Sequence, residues 1–337
     1  MGMEIPDHLL DKIRSIPDKP GVYKMKDVQG NIIYIGKSKC LSKRVKSYFQ
    51  TNHDWEKIKR LVFNIYDIDF IVTDTHLEAQ LLECKLIKKY KPLYNSQFSK
   101  DKNYVYLKIE EHITANPLSL SSEKDGEYVF GPFRSRRFIY DLTELMTKLY
   151  PIKKLENSYQ IQYNPLPQIM DEKDFKENRM CLIEIFSKEK CMETFLEVLE
   201  EKMKEASYSF LYERASYFRD MLSSLKYIYE SQKKDISKDK SILMGEKIEK
   251  GYKLFYIYDG NLIIKRKFYT LTIKDIDEFI HQAENSKNFY NINKDEKRNM
   301  DFKTIINREL RDRTSKVIEI IDDNFHSGVF WSKLVKL

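Results

Sequence analysis

The spacing of apolar and polar residues divides the chain into strand-like and helix-like stretches. Gly21-Val22-Tyr23-Lys24-Met25 reads as a strand leaving the Pro17–Pro20 turn, Gln29-Gly30-Asn31 as a hairpin turn, and Ile32–Gly36 as the returning strand. Beyond Gly36 the period changes. Leu41, Val45 and Tyr48 recur at helical spacing, with Lys43, Arg44 and Lys46 on other faces. Ile68–Val72 is an apolar, β-branched run. Thr75–Tyr90 is helical again, with Leu77, Leu81, Leu82, Cys84, Leu86 and Ile87 apolar and Pro92 ending the helix. Tyr104–Ile109 and Tyr128–Phe130 are strand-like, and a helix follows from about Phe138 to Leu149. Pro151, Pro165 and Pro167 mark residues 151–178 as a linker. Between Cys191 and Tyr229 the apolar pattern predicts an αα-hairpin bent at Ser207-Tyr208-Ser209. Polar Ser231–Lys240 reads as a second linker. Lys253–Tyr258 and Leu262–Phe268 flank a turn at Asp259-Gly260-Asn261, and the remainder reads as largely helical, with Asp322-Asp323 as a solvated or capping pair in that helical context.

Charge adds a first functional pointer. The 337 residues carry a net charge of +7, and residues 1–100 hold 18 Lys/Arg against 12 Asp/Glu, so +6 of the excess lies there. An anionic partner is expected for that segment. A hydrophobic fraction of 42% provides for real cores and argues against a disordered chain. No apolar run approaches the roughly 18 residues of a membrane span, and the first residues lack a signal-peptide pattern. Four cysteines without CxxC spacing disfavour a disulfide scaffold and a zinc site, so a cytoplasmic location without membrane partners is expected.

The first hundred residues concentrate chemistry suited to phosphodiester hydrolysis. That reaction needs a base for water, positive charge around the phosphorus, a metal for the oxyanion and rigid positioning. Tyr23 and Tyr34 are on neighbouring strands, and Lys37 is placed one turn after the second. Arg44 and Tyr48, four apart, share a helix face. Glu83 is a hard oxygen ligand suited to Mg²⁺, and Asn95 follows Pro92 by three residues. Each has a bland reading: tyrosine is an ordinary strand residue, Arg44 alone is a solvated helix face, and Glu83 alone is a surface charge for Lys88 or another lysine. The information lies in the ordered set.

That set resembles the GIY-YIG endonuclease domain, in the version found in the UvrC family of excision-repair nucleases. The matching stretches are Ile16–Tyr23, Ile33–Lys39, Arg44 through Tyr48-Phe49, Glu78–Glu83, Leu86–Asn95, Asp101-Lys102-Asn103-Tyr104 and Gly131-Pro132-Phe133. The resemblance implies an α+β fold: a small GIY-YIG sheet flanked by helices, then a helical UVR hairpin and a small α/β C-terminal region. It implies single-metal cleavage with one Mg²⁺ or Mn²⁺ ion on Glu83. Tyr34 would be the general base and Tyr23 would orient it or the water. Lys37 would depress the tyrosine pKa or contact phosphate, Arg44 and Tyr48 would polarise the scissile phosphate, and Asn95 would brace the site. The expected segments are 1–100 (nuclease), 101–178 (extension and linker), 190–230 (UVR hairpin) and 241–337 (C-terminal region).

Met203–Ser207 and Phe210–Asp220 resemble the UVR motif, which in the family docks on the helicase component of excision repair (UvrB). Phe210, Tyr212 and Phe218 would be apolar anchors, around Ala215, with Glu213, Arg219 and Asp220 flanking. A family iron–sulfur cluster is disfavoured. Cys181 fits one ligand position, but Leu155 stands at another and Cys191 misses the spacing. Residues 252–268 weakly resemble the hairpin before the family's second, RNase H-like nuclease. That domain and the helix-hairpin-helix end are not expected here. The implied function is a Mg²⁺-dependent endonuclease of nucleotide excision repair, making one 3′-side incision in lesion-bearing duplex DNA and recruited by UvrB. Alternatives are a nuclease for branched or foreign DNA and a non-catalytic UvrB-binding adaptor.

Overall fold

The computed structural model describes residues 5–50, 56–95, 104–114, 116–167, 169–233, 237–290 and 296–337. Asp101-Lys102-Asn103 and part of the Ser231–Lys240 link lie outside them. The four segments expected from sequence fold as two units. One joins Met1–Asp101 to Ile236–Leu337, and the other spans Lys102–Asp235.

The first unit begins with α1 (Asp7–Arg14), β1 (Gly21–Lys26), β2 (Ile32–Ser38), α2 (Leu41–Gln50), α3 (Glu56–Phe63), β3 (Asp67–Val72) and α4 (His76–Tyr90). The antiparallel sheet has the order β2-β1-β3. Gly30, at φ 82°, makes the β1–β2 turn that the Gln29-Gly30-Asn31 signal predicts. Strand β2 runs further than the sequence pattern indicates, so Lys37 lies inside it instead of one turn beyond. Helix α4 starts with a capping box: the Glu78 backbone N–H donates to the Thr75 hydroxyl, and the Thr75 N–H donates to the Glu78 carboxylate.

The second unit contains β4 (Val105–Ile109), β5 (Leu118–Ser121), β6 (Val129–Phe133), α5 (Arg136–Met146), β7 (Lys153–Lys154), β8 (Tyr159–Gln160), α6 (Glu172–Ser187), α7 (Glu189–Tyr208) and α8 (Tyr212–Lys233). The prolines at 151–167 do not make a free linker. Tyr150, Ile152, Tyr159, Ile161 and Met170 enter one core with Phe175, Phe195, Phe218 and Leu225. The α7–α8 hairpin is present as expected, with its bend shifted to Ser209–Leu211. Phe210 adopts φ 57°, and the Leu211 N–H reaches back to the Ala206 carbonyl at 2.9 Å.

The chain then returns to the first unit with β9 (Ser241–Ile248), β10 (Gly251–Tyr258), β11 (Asn261–Phe268), α9 (Ile273–Tyr290), α10 (Glu296–Arg311), β12 (Lys316–Ile320) and α11 (Ser327–Val335). The sheet order is β11-β10-β9-β12. Asp259 (φ 45°) and Gly260 (φ 69°) make the expected β10–β11 turn. Two strands were hidden from periodicity. β9 and β12 lie against helices on both faces, so they lack clean alternation. Asp322-Asp323 accordingly follow a strand instead of lying in a helix, and Asp322 accepts the Asn324 N–H in a turn.

Successive side chains of β9 and β10 point to opposite faces, and both sets are apolar. Leu243, Leu254 and Tyr256 pack with Ile276, Phe279, Phe330 and Leu334. Ile242, Met244, Phe255 and Ile257 face the other way, onto Leu77 and Cys84 of α4 and Ile305, Ile306 and Leu310 of α10. The opposite side of α4 buries Ala79 and Ile87 against Val22 of β1 and Ile35 of β2. Helix α4 therefore lies between the N-terminal and C-terminal sheets.

Ion pairs line the same seam. Lys88 of α4 meets Asp301 of α10 at 2.9 Å with both side chains under a tenth exposed. Lys253 meets Asp74 at 2.9 Å and Glu78 at 3.0 Å, and Lys267 meets Asp74 at 2.7 Å. Removing one partner of a buried pair leaves an uncompensated charge. Lys88→Met is expected to destabilise the first unit by about 3 kcal/mol in denaturant unfolding. In the same seam, burial lifts the Glu246 carboxyl to about 7, against the pull of Lys316. Its Oε2 has no hydrogen-bond partner. A raised carboxyl contributes stability that is present at low pH and lost as pH rises through 7. Glu246→Gln should therefore raise the unfolding midpoint at pH 8 and leave it unchanged at pH 4.

Candidate active site

Antiparallel pairing of β1 with β2 places Tyr23 opposite Gly36 and Met25 opposite Tyr34. Tyr23 and Tyr34 therefore share one face of the sheet. Helix α2 covers that face and brings in Tyr48. The three rings form a triangle with centroids 6.2, 6.0 and 6.2 Å apart. The Tyr23 and Tyr48 hydroxyls share a hydrogen bond of 2.8 Å. Arg44, one turn before Tyr48, lays its guanidinium over the Tyr48 ring at 5.1 Å.

The acidic side of the site is fixed by α4. The Lys37 backbone N–H donates to Glu83 Oε1 at 3.0 Å, tying the carboxylate to β2. Asn95 braces the same strand, since its Oδ1 accepts from the Ile35 N–H at 2.9 Å and its Nδ2 donates to the Ile35 carbonyl at 2.8 Å. Lys88 does not pair with Glu83, because Asp301 holds it.

Burial sets the electrostatics. It pushes the Tyr23 phenol far up, and Tyr48 and Tyr34 add to the rise. Burial also raises Tyr34, with Tyr48 and Glu83 contributing, and Arg44 is the cation that opposes. Arg44 thus exerts on Tyr34 a pull of the kind expected of Lys37. Burial lowers the Lys37 ammonium, which Glu83 partly restores. Burial raises the Glu83 carboxyl, while Lys37, Arg308 and Arg44 draw it down.

The donor set fits a hard divalent cation. Glu83 Oε1 is engaged by the Lys37 N–H, which leaves the second carboxylate oxygen for a metal. A Mg²⁺ ion commonly uses one or two carboxylates, keeps several waters and takes phosphate oxygens. Among the described residues no group of three or more His, Cys, Asp or Glu is arranged to hold a metal. Glu83 is the carboxylate that this part of the site presents.

All seven expected residues stand around this centre: Tyr23, Tyr34, Lys37, Arg44, Tyr48, Glu83 and Asn95. Residue periodicity missed Gln80, Arg308 and Glu309. Gln80 is buried one turn before Glu83, and the other two arrive from α10. In the second unit, the hairpin residues divide. Phe210 and Tyr212 are 76% and 66% exposed, whereas Phe218 is 2% exposed. Phe218 packs with Phe195 and Leu222 in the core of its own unit, so it is not an anchor for another protein. Ala215 is half-buried, and Glu213, Arg219 and Asp220 are exposed.

Gly36 is required by close approach. A Cβ there would lie 2.3 Å from the Tyr23 hydroxyl oxygen. Gly36→Ala should expel the Tyr23 ring and break its bond to Tyr48. The expected outcome is a destabilisation of about 2 kcal/mol, together with a Tyr23 phenol that titrates closer to pH 10 by ultraviolet absorbance.

Two segments of the chain match known family models. Residues 19–96 match the family model described as a UvrC-like GIY-YIG domain, and residues 193–228 match the UvrB/uvrC motif. UvrABC system protein C of Acetivibrio thermocellus is 33% identical over 306 residues, 83% of this chain and 48% of that protein. The chain thus spans about half the length of this curated relative. Among solved structures, the GIY-YIG N-terminal endonuclease domain of UvrC from Thermotoga maritima bound to magnesium is 42% identical. It matches 27% of this chain and 99% of its own, with a TM-score of 0.25. A point mutant of that domain bound to the catalytic divalent cation is 40% identical over 28% of this chain and all of its own, also at 0.25. No described helix is long and apolar enough to cross a membrane. The chain thus carries a UvrC-like GIY-YIG domain followed by a UvrB/uvrC motif, and over most of its length it is similar to UvrABC system protein C.

Proposed function

We propose that this protein is a Mg²⁺-dependent DNA endonuclease of nucleotide excision repair. It makes a single incision on the 3′ side of a lesion and is recruited by a UvrB-like helicase. The observation that carries the reading is the convergence on strand β2 of three tyrosines with Arg44 on one face and of Glu83, tied to the Lys37 N–H, from the helix on the other.

Each side chain has a defined task. Arg44 presents a planar fork of donors to the scissile phosphate and neutralises charge that grows during attack. Lys37 adds a second cation. Tyr34 holds the attacking water by a hydrogen bond and accepts its proton once its own phenol is ionised. Burial opposes that ionisation and Arg44 favours it. Tyr23 and Tyr48 fix the Tyr34 ring. Glu83 would hold one Mg²⁺, which supplies Lewis-acid polarisation of the phosphoryl oxygen when bound. Asn95 keeps β2 in register with this set.

The hairpin tip supports recruitment by a protein. Tyr208, Phe210, Leu211 and Tyr212 form an exposed apolar cluster, 83, 76, 46 and 66% exposed. Such a cluster on a short helical bend suits docking against another apolar surface.

The test is to incubate the protein with Mg²⁺ and a lesion-bearing duplex loaded with UvrB, then map the nicks. One 3′ nick that falls by at least about 10³-fold in Glu83→Ala is the expected result. Nicking that is unchanged without UvrB would favour a role outside excision repair. UvrB binding without nicking would favour an adaptor. Phe210→Ala should lose UvrB-dependent nicking and keep nicking of naked DNA at low salt; equal loss of both would overturn the assignment of the tip.

A further inference from the structure

Gln80 is the buried residue that the C-terminal half of the chain reaches for. It is 2% exposed and lies one helical turn before Glu83 on α4. Its Oε1 accepts a hydrogen bond from Arg308 Nη2, and its Nε2 donates to Glu309 Oε2 at 2.9 Å. Donor and acceptor are successive residues of α10, 228 and 229 positions away in sequence. Glu309 is itself fixed by an ion pair with Lys316 of β12. Arg308 and Glu309 together satisfy both ends of the buried carboxamide, which in turn orients the Arg308 guanidinium.

Three facts about Arg308 point to the site. Its side chain is anchored through one N–H, and a guanidinium has five donors. The residue is exposed, unlike its neighbours Asn307 and Glu309. Its charge acts on both Lys37 and Glu83. A surface arginine at the last turn of a helix can also serve only the helix dipole, but Arg311 already occupies that turn.

We propose that Arg308 is a further phosphate-binding residue of the nuclease centre, delivered by α10 to a backbone phosphate of the DNA adjoining the one held by Arg44 and Lys37. The C-terminal half of the first unit is then part of the DNA-binding surface. The planar fork, braced by Gln80, suits bidentate contact with a phosphate. The proposal takes its substrate class from the endonuclease reading above, so its test must survive failure of that reading.

Duplex binding by fluorescence anisotropy, with Ca²⁺ replacing Mg²⁺, provides that independence. The full chain is compared with Arg308→Ala, Arg308→Lys and Arg311→Ala over a series of salt concentrations. Arg308→Ala should weaken binding about tenfold and flatten the slope of log affinity against log salt by about one. Arg308→Lys should restore the slope while recovering only part of the affinity, because it keeps the charge and loses the fork. Arg311→Ala should match the unaltered chain. In the nicking assay Arg308→Ala should raise KM for DNA and leave the Mg²⁺ half-saturation point in place. Equal slopes for Arg308→Ala and the unaltered chain would overturn the proposal. A loss of binding that Arg308→Lys does not repair at all, with a lowered melting temperature in both variants, would assign Arg308 to structure and overturn it too. Absence of nicking by the unaltered chain would count against the endonuclease reading alone, and the anisotropy slopes would still decide Arg308.

Discussion

Burial of α4 on both of its sides is the constraint from which the site follows. Ala79 and Ile87 hold it to the N-terminal sheet, while Leu77 and Cys84 hold it to β9, β10 and α10. A helix gripped this way cannot rotate without exposing apolar surface on one side or the other. Glu83 therefore meets the Lys37 N–H at a fixed distance, and one hydrogen bond aims its carboxylate. The charges at the helix ends reinforce the grip, with Asp74 and Glu78 meeting lysines of β10 and β11 and Lys88 meeting Asp301.

The tyrosine cluster poses the opposite electrostatic problem. The Tyr23 and Tyr34 phenols are buried and resist ionisation, Tyr23 being almost wholly enclosed. Arg44 is the counterweight. It lies against the Tyr48 ring and acts on Tyr23, Tyr34 and Glu83 alike. Burial holds Tyr23 and Tyr34 neutral, and added positive charge nearby favours their ionised forms. Gly36 makes this packing possible, since any side chain there would collide with Tyr23.

The two units divide their surfaces differently. In the first, polar side chains converge on a buried helix. In the second, Phe195, Phe218, Leu222 and Leu225 close a core beneath the α7–α8 hairpin, and the bend at Phe210 leaves aromatic rings exposed. Phe210 makes that bend in the left-handed region, at φ 57°. Phe218 has the same residue type as Phe210 and an opposite fate, because it lies two turns into a helix whose inner face is already apolar.

The sequence by itself determined the local elements whose period is unmixed. The β1–β2 hairpin follows from Gln29-Gly30-Asn31 between two apolar runs, α4 from the Thr75 cap and Pro92 stop, and the helical hairpin from its regular apolar spacing. It also picked out the seven residues that stand around the centre, through an ordered set of residue types. It could not reveal β9 or β12, because strands apolar on both faces leave no polar alternation and, unlike β10, neither adjoins a turn signal such as Asp259-Gly260-Asn261. It could not separate Phe210 from Phe218, because burial depends on what packs opposite. Only the tertiary structure decided that residues 237–337 belong with the first hundred and that Gln80 is met by Arg308 and Glu309. The physical reason is range. Periodicity reports contacts within a few helical turns, whereas the partner of Gln80 lies 228 residues away and is chosen by the packing of two sheets around one helix.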